Sequence, residues 1–268
     1  MNKDLVSYIV LSYNQQEYIK GAIESALNQS YQPLEILISD DGSTDNSIDI
    51  IKKTIDAYIG PHTIRLNIND KNLGVAYHKE YLTRIAAGDI IICGDGDDVS
   101  DCNRTQKIVD EFEADDNCMY VHSYAKVINS TNQLVQYFIS PGLSDFKKLY
   151  SAAAARSLAL GATAAWRKEV VTDFQPLIPS VWSDDLIFGF RALLIGSVRY
   201  IDEPLVGYRQ GIGVASVKQT RFQRHKRDLI IRKQRFEDSF LKNKFLVCLR
   251  LLYLMINSSI KMLFSGWK

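Results

Sequence analysis

The stretch Asp89-Ile90-Ile91-Ile92-Cys93-Gly94-Asp95-Gly96-Asp97-Asp98 carries the strongest signal for the fold. Its first half is short, β-branched and closed by glycine, which predicts a buried strand. Three carboxylates therefore follow the end of a strand, which is where open α/β sheets bind ligands. Crowded carboxylates repel one another, and a divalent cation relieves that repulsion. The same residues also fit a plain acidic turn, so the stretch alone leaves metal or phosphate chemistry and a turn both open.

The chain before this stretch alternates between strand and helix patterns. The predicted elements are strands at 6–11, 34–39, 63–68 and 89–94 and helices at 17–29, 46–58 and 77–87. This β-α-β-α-β-α-β order predicts a mostly parallel sheet flanked by helices. Right-handed crossovers bring the loops after the strands to one edge. We therefore expect Ser12-Tyr13-Asn14, Asp40-Asp41 and Asp95 to Asp98 to converge.

The pattern is less regular after Asp98. It predicts a helix at 102–114, a strand at 119–128, a helix at 184–194 with Ser183 as its cap, and one or two strands at 198–206. From Arg221 onward the chain has a basic helical pattern. Residues 217–268 hold thirteen Lys or Arg against three acids, a formal charge of +10. The first 216 residues hold nineteen against twenty-eight, a charge of −9, so the two parts are expected to meet different partners.

Several short motifs follow one another in a fixed order along the chain. They are Ser12-Tyr13-Asn14, Ala26 to Tyr31, Ser39 to Asp45, Asn72-Leu73-Gly74, Ala86 to Asp89, Gly94 to Asp98, Ser183-Asp184-Asp185 and Tyr208-Arg209. With this set, the chain resembles the family 2 inverting glycosyltransferases with the GT-A (Rossmann-like) fold, from about Leu5 to Ser216. The resemblance implies a catalytic domain at 1–216, with a nucleotide-binding half at 1–98 and an acceptor-binding half at 99–216. Residues 217–268 then form a basic, amphipathic helical extension.

The resemblance implies a nucleotide-sugar donor, with uridine as the base. Tyr13 would stack on the base, and Asp40 or Asp41 would accept a hydrogen bond from the uracil imide. Lys79 stands where relatives often have Arg, so it keeps one positive charge on the donor side. For Tyr13 and the two aspartates, a packed strand end and a turn with a helix cap are the plain alternatives.

The resemblance also implies a metal cofactor, Mn²⁺ or Mg²⁺. Asp95 would face the ribose or the metal, and Asp97 would bind the metal through the donor diphosphate. The ion would offset the charge that develops on the departing nucleoside diphosphate. One departure concerns Gly211, which stands where many relatives carry a metal- or diphosphate-binding His.

The acidic pair Asp184-Asp185 stands where the family has its catalytic acids. Asp185 is the expected base that takes the proton of the acceptor hydroxyl, because a helix start favours an ionised carboxylate. One in-line displacement would invert the anomeric centre. Ordinary first-turn acids are the alternative for this pair. Trp166 and Trp182 would either stack on an acceptor sugar or belong to the core.

Two other functions compete with the transferase. Asp95 to Val99 formally matches the Asp-x-Asp-x-Val signature of haloacid-dehalogenase-type phosphatases, with Asp95 as nucleophile. That signature normally closes the first strand of its fold, whereas three β-α units precede it here. A non-catalytic module that binds a nucleotide sugar is the second alternative, and the presence of both Asp97 and the Asp184-Asp185 pair argues against it.

The tail suggests where the protein works. Residues 245–256 are strongly apolar but interrupted by Arg250, which together with the upstream basic residues predicts a helix in the interface of an anionic membrane. A helix that packs on the domain or on a homodimer partner is the alternative. The acidic body argues against nucleic acid. We expect no signal peptide and no uninterrupted membrane span, unpaired cysteines, a cytoplasmic protein on the inner membrane face, and a glycan acceptor linked to a lipid diphosphate, as in bacterial surface-polysaccharide and O-antigen synthesis.

Overall fold

A computed structural model describes residues 4–139, 148–210 and 220–265. The first part of the chain forms the predicted alternation of strands and helices. Its elements are β1 (Val6–Ser12), α1 (Ile19–Leu27), β2 (Leu34–Asp40), α2 (Ser47–Asp56), β3 (Thr63–Ile68), α3 (Val75–Ile85) and β4 (Ile90–Asp95). Every residue of β1 and β2 is buried, as their mostly apolar sequences predict for strands covered on both faces.

The second part is richer in short elements than the sequence pattern indicates. It contains β5 (Val99–Ser100), α4 (Arg104–Glu113), β6 (Cys118–Ile128), β7 (Leu134–Phe138), α5 (Leu149–Ala152), a 3₁₀ turn (Gly161–Thr163), β8 (Ala165–Arg167), α6 (Glu169–Thr172), α7 (Asp185–Ile195), β9 (Ser197–Arg209), α8 (Arg221–Leu241) and α9 (Phe245–Ser265). The stretch at 198–206 is part of one long strand. Ser183 does not cap α7, because its hydroxyl donates to the side chain of Asp185 instead of accepting a backbone N–H.

Within the described residues, one sheet has the strand order β3-β2-β1-β4-β8-β6-β9-β5. The remaining strand, β7, also pairs with β6. The pairs among β3, β2, β1 and β4 are parallel, and so is the long pair between β6 and β9. The register places Ser12 beside Asp40 and Leu11 beside Asp95. The carboxyl ends of β1, β2 and β4 therefore lie at one edge, as predicted, and the fold is a mostly parallel sheet flanked by helices.

Apolar layers cover both faces of the sheet. One contains the inner faces of α1 and α4, and the other contains α3, α6 and α7. Trp166 lies in the second layer with none of its surface exposed, and its indole N–H donates to the Thr83 hydroxyl at 3.2 Å. This residue is a core tryptophan, which decides between the two roles the sequence left open for it.

The basic helix α8 packs against α7. Thr220 and Gln223 form a capping box at its start. The Asp238 carboxylate accepts two hydrogen bonds from the Arg191 guanidinium, at 2.9 and 3.1 Å, and both residues are fully buried. The inner face of α8 is therefore a structural part of the fold. The predicted domain boundary between 216 and 217 falls outside the described residues and stays a prediction.

The Asp238→Ala variant is expected to lose about 3–5 kcal/mol of unfolding free energy, because it leaves the buried Arg191 cation without its partner. Urea denaturation at neutral pH measures the loss. Glu237→Ala is the matched control, since it breaks an exposed pair with Lys233 on the same helix, and it should cost about 0.5 kcal/mol or less. Equal costs for the two variants would contradict a structural role for the buried pair.

Helix α9 packs along α8, and much of its surface is apolar and exposed. In the part of the chain that the structure describes, it is the one helix long and apolar enough to cross a membrane, over Phe245–Met262, judged by length and composition. Arg250 and Lys261 interrupt this window without disqualifying it. Only 22% of the window is buried, so it is not an ordinary core helix. Its predicted interfacial position stays a prediction.

Candidate active site

The loops that follow β1, β2 and β4 meet at the carboxyl edge of the sheet. The Ser12 hydroxyl donates to the Asp40 carboxylate at 2.9 Å, and the backbone N–H of Asn14 donates to the Ser43 hydroxyl at 2.8 Å. A Cβ placed on Gly96 in the third loop would lie 2.5 Å from the carbonyl oxygen of Leu11, so only glycine permits this close approach. The predicted convergence of the three loops is confirmed.

Asp40 and Asp41 are both buried and hold this edge together. Asp40 accepts hydrogen bonds from Ser12 and from both the backbone N–H and the hydroxyl of Ser43. Asp41 accepts from the Asn69 amide and from the backbone N–H groups of residues 73 and 74. Both carboxylates thus fix the loops at this edge of the sheet. A direct contact of either one with a uracil imide stays a prediction.

Lys79 links the two acidic parts of the site. It extends from the buried face of α3, and its Nζ lies 3.4 Å from the Asp95 carboxylate and 3.2 Å from the Asp184 carboxylate. Burial works against its charge, but Asp184 and Asp95 outweigh burial and hold the pKa of Lys79 above its ordinary value. One cation therefore brings the acids after β4 next to the acids that begin α7.

Asp184 and Asp185 occupy different environments although they are neighbours. Asp184 is buried and paired with Lys79. Asp185 is partly exposed, and its Oδ1 accepts from the Ser183 hydroxyl and from the backbone N–H of Leu186. Burial and the neighbouring Asp184 raise the pKa of Asp185 to about 6. Asp185 is therefore the more accessible of the two carboxylates.

The acidic turn after β4 is crowded and fixed from one side by Arg209. The backbone N–H of Arg209 donates to Asp98 at 2.7 Å, and its guanidinium donates to the backbone carbonyl of Asp97 at 2.9 Å. Burial and Asp95 raise the pKa of Asp97 to about 6, although the positive charge of Arg209 opposes them. Burial followed by the charges of Asp97 and Asp95 raises the pKa of Asp98 well above its usual range.

The residues of this turn fit a divalent cation that is shared with a phosphate ligand. The Oδ2 atom of Asp98 is buried and has no hydrogen-bond partner. Asp97 lies beside Asp95, and a cation would remove the repulsion between these two carboxylates. No three His, Cys, Asp or Glu side chains in the described ranges form a metal-holding group by themselves. Mg²⁺ is commonly held by one or two carboxylates together with substrate phosphates, and this turn provides such a set. Gly211 lies outside the described residues.

Two aromatic side chains lie at the surface of the site region. Tyr13 follows β1 and is 43% exposed, so its ring is accessible for stacking. Trp182, which precedes the acidic pair, is 36% exposed, and the Arg227 guanidinium of α8 lies 4.8 Å from its ring centroid. The structure therefore gives Trp182 an accessible position that Trp166 lacks. Stacking of either exposed ring on a ligand stays a prediction.

Two residues that adjoin the site have no clear signal in the sequence. Gly161 lies over the junction: a Cβ built on it would be 3.6 Å from both the Lys79 Nζ and the Asp185 Cβ. Arg235 of α8 is fully buried and donates to the backbone carbonyl of Leu186 at 2.8 and 3.0 Å. A helical pattern rich in Lys and Arg usually indicates a solvent-exposed face, and the only hint at Arg235 is its spacing from Ile231 and Asp238 on one helix face.

The Lys79→Met variant is expected to lose about 3–5 kcal/mol of unfolding free energy, because Asp95 and Asp184 lose their shared cation inside the protein. Urea denaturation measures the loss. Lys107→Met is the control, because its pair with Glu203 is much more exposed, and it should cost less than about 1 kcal/mol. A Lys79→Met protein as stable as the wild type would show that the buried bridge is not formed.

The model of the family described as Glycosyl transferase family 2 matches residues 7–171. An uncharacterised glycosyltransferase of Nostoc sp. is 29% identical over 216 residues, covering 76% of this chain and 64% of the relative. A chondroitin synthase of Escherichia coli is 30% identical over 162 residues, covering 60% of this chain and 23% of the relative. The chain thus spans less than two thirds of the length of these relatives.

Solved structures share the fold at low sequence identity. TarS residues 1–349 of S. aureus, in complex with UDP-GlcNAc, superposes with a TM-score of 0.61 at 17% identity over 90% of this chain and 71% of that one. The mannosyltransferase PcManGT of Pyrobaculum calidifontis, in complex with GDP-Man and Mn²⁺, has a TM-score of 0.60 at 18% identity over 97% of this chain and 74% of that one. These likenesses show the GT-A fold.

Proposed function

The chain belongs to glycosyl transferase family 2, and on that premise we propose that it is a metal-dependent inverting transferase. It would move a sugar from a nucleotide-sugar donor, a UDP-sugar, to a hydroxyl group of a glycan acceptor. The observation that carries the proposal is the Lys79 bridge, because it places the acids after β4 beside the acids that begin α7. A transferase needs both groups around one reacting carbon.

The donor side is proposed at the carboxyl edge of the sheet. Tyr13 would stack on the base, and Asp41 or Asp40 would accept its imide N–H. Asp97 and Asp95 would hold Mn²⁺ or Mg²⁺ together with the diphosphate oxygens, and a bound ion would supply positive charge where the leaving group becomes more negative. The UDP-GlcNAc complex of TarS and the Mn²⁺ complex of PcManGT support this choice of ligands.

Asp185 is proposed as the base. Its partly exposed carboxylate would accept the proton of the acceptor hydroxyl while that oxygen attacks the anomeric carbon on the face opposite the leaving group. Lys79 would hold Asp184 beside the base, and the negative charge of Asp184 would raise the pKa of Asp185. A single displacement of this kind inverts the anomeric configuration, so an α-linked donor would give a β-glycoside.

Family membership weakens the phosphatase alternative. The Asp-x-Asp-x-Val match closes β4, the fourth strand of the chain, and not the first strand that such phosphatases use. Turnover of a donor distinguishes the transferase from a non-catalytic module, and the next experiment tests for it.

A titration of the full chain with UDP, GDP and dTDP, each with Mn²⁺ and with EDTA, tests the proposal. We expect UDP to bind in the presence of Mn²⁺ and to bind much more weakly in EDTA. Binding of another nucleotide would change the donor class, and binding of none would refute the transferase. Donor binding without turnover on any acceptor would favour a non-catalytic module.

Turnover should depend on pH through Asp185. A base must be ionised, and burial together with Asp184 raises the pKa of this carboxyl to about 6. We therefore expect kcat/KM to be constant above about pH 7 and to fall about tenfold per unit below about pH 6. Saturating Mn²⁺ would keep Asp97 ionised during this measurement, which removes the titration of Asp97 from the profile. A profile that is flat down to pH 5 would exclude Asp185 as the base.

Association with the inner face of the membrane is proposed for the α8–α9 region. Exposed apolar residues of α9 would enter the interface while the basic residues of α8 meet anionic head groups. An acceptor carried on a lipid diphosphate, as in bacterial surface-polysaccharide synthesis, would suit that location. Co-sedimentation of the full chain with anionic vesicles tests it. A Phe245→Glu and Ile256→Glu double variant should bind the vesicles less, and unchanged binding would refute the proposal.

A further inference from the structure

An apolar groove lies between α5 and α9, and the proposed reaction does not use it. Its volume is about 660 Å³. The lining residues are Tyr150 from α5 and Leu246, Leu249, Arg250, Tyr253 and Leu254 from α9. Leu246 is 73% exposed and Tyr253 is 64% exposed, so no other part of the described chain covers the groove. An exposed apolar surface of this kind usually marks a binding site.

Arg250 is the single charged residue of the lining. Its guanidinium carbon lies 4.0 Å from the centroid of the Tyr150 ring, and its Nε atom is buried without a hydrogen-bond partner. Stacking holds the guanidinium plane in place, and the described residues supply no hydrogen-bond acceptor for its Nε–H. A cation next to apolar side chains is best satisfied by an anionic ligand, and phosphate matches the planar fork of an arginine.

The charge of the helix also selects the ligand. Helix α9 carries Arg250 and Lys261 and has no acidic residue. A second copy of the chain, packed symmetrically on this groove, would bring its own Arg250 into the same apolar surface, where like charges repel. An anion with an apolar body meets both features of the groove without this repulsion.

We propose that the groove binds an amphiphile that has a hydrocarbon chain and a phosphate headgroup. The hydrocarbon chain would lie against Leu246, Leu249 and Tyr253, and the phosphate would accept hydrogen bonds from Arg250. This inference rests on the proposed function, because it assigns the groove to the lipid phosphate part of the acceptor.

The groove is connected to the proposed base by one buried side chain. The guanidinium of Arg235 donates to the carbonyl oxygens of Ala152, Ala153 and Ala155, which end α5 or follow it directly. It also donates to the carbonyl oxygen of Leu186, the residue after Asp185. The wall that carries Tyr150 and the start of α7 are therefore held in a fixed relation, as a site for one acceptor molecule requires.

Titration of the full chain with farnesyl phosphate, below its micelle concentration, tests the proposal. Farnesol and inorganic phosphate are the reference ligands. We expect farnesyl phosphate to bind at least about tenfold more tightly than farnesol, because a hydrogen bond to a charged group is worth that much. Inorganic phosphate alone should bind weakly, since it gains no apolar contact. Dihexanoyl phosphatidic acid, run in parallel, shows whether a phospholipid serves as well as an isoprenoid phosphate.

Two variants identify the residue responsible. Arg250→Gln should lose about tenfold in affinity for farnesyl phosphate and bind it no better than farnesol, whereas Arg250→Lys should retain part of the preference. Lys261→Gln removes the other cation of α9 from outside the groove and should bind like the wild type. Thermal melting of each variant confirms that it is folded.

Three results would overturn the proposal. The first is equal wild-type affinity for farnesol and farnesyl phosphate, and the second is an Arg250→Gln protein with unchanged affinity for farnesyl phosphate. The third is a stable dimer that dissociates in the Leu249→Glu variant but not on addition of farnesyl phosphate. The UDP titration is independent of this measurement. Binding of the amphiphile without binding of UDP would refute the transferase function and support the amphiphile site. Binding of UDP without binding of the amphiphile would refute the amphiphile site alone.

Discussion

The Asp185→Asn variant should lose about 10²–10⁴-fold in turnover and bind the nucleotide-sugar donor as tightly as the wild type does. Asparagine keeps the shape and one oxygen of the side chain but cannot take a proton. The donor would be bound at the other side of the Lys79 bridge, so its affinity should not change. The measurement is release of the nucleoside diphosphate with an acceptor present, together with a titration of donor binding.

Asp184→Asn distinguishes the two members of the acidic pair. Asp184 is buried against Lys79, so its amide variant should lose stability as well as activity, whereas Asp185→Asn should melt close to the wild type. Asp116→Asn, an exposed substitution with the same change of charge, controls for net charge. If Asp185→Asn turns over at the wild-type rate and Asp184→Asn is inactive but stable, Asp184 is the base and Asp185 is not.

The sequence predicts the first half of the molecule well because its signals are local. Mostly apolar runs mark β1, β2 and β4, and the order of elements then fixes the edge at which their loops meet. The hydrogen bonds between the loops of Ser12 and Asp40 follow from this parallel arrangement. A parallel sheet leaves few choices once its strands are identified.

The rest of the site depends on contacts between distant parts of the chain, which no local pattern encodes. Lys79 was expected on the donor side, but its second partner, Asp184, could be found only in three dimensions. The basic pattern of α8 indicates an exposed helix, yet Arg235 and Asp238 of that helix are buried. Burial of a charge depends on its partners, and those partners come from α5 and α7.

The Asp97→Asn variant should lose the metal-dependent part of nucleotide binding and turn over about 10²–10³-fold more slowly. Asp97 lies beside Asp95 in a buried turn, and burial and Asp95 raise its pKa to about 6. A bound cation would relieve the repulsion between the two carboxylates. The amide of the variant carries no negative charge, so both the repulsion from Asp95 and the attraction for the ion are lost. Titrating UDP with Mn²⁺ and with EDTA should then give the same weak affinity in the variant.

Asp101→Asn is the matched control for this change. Asp101 lies just beyond the same turn and is exposed. Its side chain accepts a hydrogen bond from the backbone N–H of Asn103, a role that an asparagine oxygen can fill. It should bind UDP with Mn²⁺ like the wild type. The comparison separates a specific ligand from a general loss of negative charge near the diphosphate. If Asp97→Asn still binds UDP more tightly with Mn²⁺ than with EDTA, the ion is held elsewhere, and the acidic turn after β4 is not its site.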